Sequence, residues 1–156
     1  MDFDKYDRGM DKMGMKGKIN LVHFRGGMPF DERDVDNLVV TTGKAGAAGL
    51  FCGEKTDFFE YLAIGTGTTS PAAGNTSLTA IAGARASATV SLGTTTVAND
   101  TAQLVATFNF NAATAITEAG IFDASTNGTL ATHATFSPIN VASGDSLQLT
   151  YKVAFA

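Results

Sequence analysis

The stretch ITEAGIFDAST, residues 116–126, places a carboxylate, Glu118, inside an otherwise apolar, strand-like run from Ile116 to Phe122. A carboxylate in that setting could act as a general acid, a nucleophile or a metal ligand, and each of these roles needs a partner. Asp123 and Asp145 are the acids that could complete a glycosidase-type pair. No histidine or cysteine within about five residues of Glu118 supplies a recognisable catalytic motif. The alternative is structural. At a strand bend the Glu118 carboxylate could accept backbone N–H bonds or pair with Arg85, because burial without a partner is costly. The missing partners favour this second reading, so we expect no catalytic residue and no enzymatic activity.

Other segments with chemical potential are weaker. GTGTTS, residues 65–70, has the look of a phosphate cradle, but Ser70 stands where the third glycine belongs and no G-K-[ST] follows. A glycine-rich surface loop is expected instead. DERDVDN, residues 31–37, offers Asp31, Asp34 and Asp36 as calcium oxygens, yet lacks the central glycine and terminal glutamate of an EF-hand loop. It reads as a solvated acidic loop. His23 and His133 are single and read as strand residues rather than ligands, and no serine occupies a G-x-S-x-G elbow. Cys52 has no C-x-x-C partner and is expected as a plain, buried thiol. The N-x-[ST] triplets at Asn75, Asn99 and Asn127 read as chance matches in Thr-rich turns. No metal and no cofactor is expected.

The elements that carry these residues fall into two unlike parts. Residues 1–36 contain more than half of the charged residues, both signs interspersed, and all five methionines. This part reads as an N-terminal arm, mobile alone and ordered on a partner, with Met10, Met13, Met15 and Phe30 as adaptable contacts. Removing residues 1–17 is expected to leave the remainder folded. Within the arm, Lys18–Phe24 alternates like a short strand, and residues 25–37 read as a loop punctuated by Gly26, Gly27 and Pro29. Residues 37–57 form an entry segment. Asn37 could cap a helix there, although Val39, Val40 and three glycines oppose one.

From residue 58 the pattern has period two. Strands are expected at 58–65, 84–92, 101–110, 114–122, 129–136 and 146–155. Asn127-Gly128 is a strong type I′ hairpin signal. Short strands at this spacing argue for an all-β fold, an antiparallel β-sandwich of jelly-roll or Ig-like kind, over residues 37–156. A partly closed barrel is the near alternative. The expected core is Ile64, Leu104, Phe108, Ile116, Leu130, Phe136, Leu147, Leu149, Tyr151 and Val153.

Bulk composition limits function. With 44% apolar and 17% charged residues and a net charge of −4, the chain is no uniformly basic nucleic-acid binder. No apolar run is long enough for a membrane-spanning helix, and the N-terminus lacks a signal-peptide core. The absence of Trp and the scarcity of Tyr count against a stacking glycan site.

An ordered set of blocks resembles a family of small virion proteins of tailed bacteriophages, usually labelled tail fibre or tail-associated proteins. The blocks are NLVVTTGK, YLAIGTGTTSPAAGNTSL, Arg85, ITEAGIFDAST and the final GTLATHATFSPINVASGDSLQLTYKVAF, covering about residues 37–156. The segment after NLVVTTGK is more glycine-broken than in the family, and residues 1–17 have no counterpart there. The resemblance implies a non-enzymatic tail or collar fibre module or attachment adaptor, made in the host cytoplasm and resident in the virion. Its partners would be tail, neck or capsid subunits, with self-association into an oligomer, a trimer if fibre-like. A head decoration protein and a host-glycan adhesion module are the alternatives. The resemblance also implies that Glu118 holds the loop after Gly65 or pairs with Arg85.

Overall fold

A computed structural model describes residues 14–155. The strands are β1 (Met15–Arg25), β2 (Met28–Val39), β3 (Tyr61–Gly65), β4 (Ala86–Ser87), β5 (Thr89–Gly93), β6 (Thr101–Asn109), β7 (Thr114–Phe122), β8 (Leu130–Val141) and β9 (Ser146–Phe155), with one helix, α1 (Thr41–Cys52), after β2. They form one antiparallel sheet in the order β4-β3-β7-β8-β2-β1-β9-β6-β5. The sheet folds over on itself into a sandwich that nearly closes as a barrel. Two strands make the corners. β2 pairs with β1 along most of its length, then with β8 through Leu38 and Val39. At the far side β4 and β5 are separated only by Ala88, so one extended segment leaves β3 and joins β6.

The interior is apolar. Ile19 and Leu21 of β1, Leu62 and Ile64 of β3, Leu104 and Phe108 of β6, Ile116 and Ile121 of β7, and Leu147, Leu149, Tyr151 and Val153 of β9 form one buried cluster. A smaller cluster lies on the outer face of β3, β7 and β8, where Ala63, Phe122 and Leu130 are covered by Val40 and by Leu78 of the β3–β4 loop. That second layer explains why Ile116–Phe122 is buried at every position. A strand covered on both faces loses the alternation of a half-solvated one.

The expectation of an all-β antiparallel fold holds, and nine of the ten expected core residues are buried, Phe136 being only partly so. The division at residue 36 does not hold. β1 lies within the sheet between β2 and β9, and Met15 pairs with Phe155. Truncation to residue 17 would therefore remove sheet residues. The expected loop at 25–37 is largely β2. Gly26 and Gly27, both at positive φ, form a two-residue hairpin of the kind Gly-Gly favours. The strand was hidden because charged side chains, Asp31, Glu32, Arg33, Asp34 and Asp36, fill its middle and leave no apolar alternation. Met10 and Met13 lie outside the described residues.

α1 forms despite its glycines because they are contact points. A Cβ at Gly43 would meet the Ala131 backbone, and one at Gly46 would meet the Phe59 ring. The helix thus packs directly on β8. Asn37 is not its cap. The N-cap is Val40, without a side-chain bond, and Gly53 ends the helix in the left-handed region. Cys52, expected to be buried, is exposed at that end.

Candidate functional site

Strand pairing places Glu118 opposite Gly65 of β3 on one side and Thr135 of β8 on the other, beside an irregularity in register after Ile116. The side chain lies on the outer face of β7, under the long β3–β4 loop, and is 0% exposed. Its Oε1 accepts the amide N–H of Gly67 at 3.0 Å and of Ala80 at 2.6 Å. Its Oε2 accepts Thr79 N–H at 2.9 Å and meets His133 Nε2 at 3.0 Å. Four donors therefore converge on one buried carboxylate. Burial by itself would raise its pKa. The Ala80, Thr79, His133 and Gly67 bonds outweigh that and hold the carboxyl below its ordinary range.

The glycines of GTGTTS have their explanation here. A Cβ at Gly65 or at Gly67 would come within 2.5 Å of Glu118 Oε1. The segment is an anion cradle, and the anion is the protein's own carboxylate. Neighbouring groups extend the clasp. Thr117 Oγ1 donates to Gly67 O at 2.7 Å. His133 Nδ1 lies 2.8 Å from Asn75 Oδ1, which also accepts Ala72 N–H at 2.7 Å. Both nitrogens of the His133 ring face oxygen atoms, Asn75 Oδ1 on one side and Glu118 Oε2 on the other. The loop from residue 66 to residue 85 is long for a compact domain. It is held at Gly67, Asn75, Thr79 and Ala80 from beneath.

Arg85 does not pair with Glu118. Its guanidinium stacks 3.4 Å from the Phe122 ring centroid and donates to Ala124 O at 2.8 Å and to Asn127 O. Burial lowers its pKa. It ties the end of the long loop to the β7–β8 connection, where Asn127 and Gly128 both have positive φ but sit in a seven-residue loop, Phe122 pairing with Leu130, rather than in the two-residue hairpin turn expected.

The other two acids do not converge on Glu118. Asp123 pairs with Lys55 and accepts Thr129 N–H at 2.6 Å. Asp145, in the turn before β9, is buried and pairs with His23 Nε2 at 2.8 Å, Arg25 Nη2 at 2.8 Å and Ala142 N–H at 2.8 Å. The Arg25 bond, working against desolvation, holds the Asp145 carboxyl far below the usual range. Phe30, largely exposed, sits 4.3 Å from Arg25 Cζ and edge-on to His23. The His23–Asp145 pair was not anticipated from the sequence, since 122 residues separate its members. Asp31, Asp34 and Asp36 do not form one ligand set, because strand alternation puts Asp31 on the opposite face from the other two. Asp31 binds Arg33 and Asp34 accepts Asn20. Among the described residues, no group of three or more His, Cys, Asp or Glu side chains is arranged to hold a metal ion.

Each carboxylate–histidine pair has the chemical types of a proton-transfer dyad, but its lone pairs and protons are committed inward. What the Glu118 arrangement does is fix a loop. Searches among protein-family models, curated proteins and solved structures find no match to this chain.

Proposed function

We propose that this chain is a non-enzymatic structural component of a tailed-phage particle, a tail or collar fibre module or an adaptor where fibres attach. The observation that carries the reading is the Glu118 clasp. Two of the blocks that carry the family resemblance, residues 61–78 and 116–126, meet through this carboxylate and the glycines shaped around it. A motif pair that fixes a loop's shape suits a protein whose value lies in presenting a rigid surface. The acids that a polysaccharide hydrolase would need are engaged in internal contacts instead.

In this reading residues 1–13, which precede the first described strand, and the exposed sheet edges bind neighbouring subunits. The partners are tail, neck or capsid proteins and further copies of the chain. Imaging of purified particles that carry the chain tests this. Density along the tail or at the neck is the expected result. Density spread over the head lattice would favour a decoration role, and absence from the particles would overturn the proposal. Deleting residues 1–13 is expected to leave the fold intact and to reduce incorporation.

A further inference from the structure

Most of the sheet's perimeter is guarded. The outer edge of β2 carries Pro29 and a run of charges, and Arg33 reaches across to Ser137 O on β8 at 2.7 Å. β8 itself contains Pro138. Proline and charge are the usual devices that stop an edge from recruiting another strand. β5 has neither. Among the described residues it pairs only with β6, in unbroken register from Thr89 to Gly93. No charged residue and no proline occurs between Ala86 and Ala98.

Its side chains add a second observation. Val90 pairs opposite Leu104 and Leu92 opposite Ala102, so both belong to the row that faces the interior. Leu104 is 4% exposed, whereas Val90 is 56% and Leu92 67% exposed. The apolar face of the sheet thus continues past the layer that covers it.

We propose that β5 docks a second copy of this chain by antiparallel pairing with its own counterpart. The strand TVSLG complements itself. A two-fold axis at Ser91 sets Thr89 against Gly93 of the second copy, and Val90 against its Leu92. The ladder continues across the axis with both apolar rows on the same face. No charge on either strand calls for an opposite charge on a different partner. The contact is isologous and closes at two copies, in contrast to a fibre-like trimer. Five residues per strand make it smaller than a standard stable interface, so association depends on concentration. It stands whether or not the virion reading does.

Sedimentation of the full chain over a wide concentration series tests it. The weight-average mass should rise toward twice that of one chain. Leu92→Lys, at an exposed position, should keep the unfolding midpoint and abolish the rise. Ser91→Pro, with the midpoint checked in the same way, should do likewise by interrupting the ladder. A monomer at every concentration, a trimer, or a dimer untouched by Leu92→Lys in folded protein would overturn the proposal.

Discussion

The two buried carboxylate–histidine pairs solve one problem in different ways. His23 lies opposite Asp31 on β2 and His133 opposite Leu38, so about seven residues of strand, roughly 20 Å, separate them. Glu118 is satisfied by three backbone amides of one loop plus His133. Asp145 is satisfied mainly by side chains of β1, including Arg25, whose side chain is 43% exposed. Amide donors are neutral and fixed by the backbone. A guanidinium at the surface is shared with water and ions. The first arrangement therefore makes a loop part of the fold, while the second fastens the β8–β9 turn to the first hairpin.

The largest effect should come from Glu118→Ala. It leaves three amides and His133 without their acceptor beneath a covering loop, and should lower stability by about 3–5 kcal/mol in urea unfolding. Gly67→Ala follows at about 1–3 kcal/mol, since its Cβ enters the space of Glu118 Oε1. Combining the two should cost less than the sum, by about 1 kcal/mol, because removing the carboxylate relieves part of the clash. Additive losses would break the link between cradle and carboxylate.

Asp145→Asn should lower the unfolding midpoint by less than Glu118→Ala does. Its cost should shrink in high salt, where the partly exposed Arg25 charge is screened. The cost at Glu118 should change little. Both carboxyls are held below their ordinary pKa. Their stabilisation is therefore complete above the unfolded value of about 4 and is lost as pH falls below it toward the folded value. Stability measured from neutral pH downward should decline through that window, and each carboxylate variant should show a shallower decline. The smallest expected effect is that of Phe30→Ala, about 0.5–1 kcal/mol, from the lost contact with the Arg25 guanidinium.

Much of the fold was legible where alternation met solvent on one face. β9 begins and ends as the pattern of Ser146–Phe155 suggested, whereas β7, buried on both faces, kept its expected bounds Thr114–Phe122 without that alternation. β2 was not, because Glu32, Asp34 and Asp36 face solvent and Asp31 and Arg33 pair with each other on the other face. The Gly26-Gly27 turn after a strand was the available signal. α1 was obscured by glycines chosen for close approach to Ala131 and Phe59, a tertiary cause invisible in local propensity. For the site, a structural role for Glu118 was read from the absence of a partner nearby in sequence, and His133, fifteen residues on, was missed as its neighbour. Its donors could not be read, since backbone amides leave no mark in the sequence. Nor could Arg85's preference for Phe122 over the carboxylate be read. Gly65 and Gly67 were the trace of that carboxylate.

Amide hydrogen exchange read residue by residue tests the central claim, that Glu118 fastens the loop, most directly. In the native chain the amides of Gly67, Thr79 and Ala80 should exchange slowly despite lying in a loop. In Glu118→Gln these three should lose protection while the β1–β9 ladder keeps its own. Unchanged protection at all three in that variant would contradict the account.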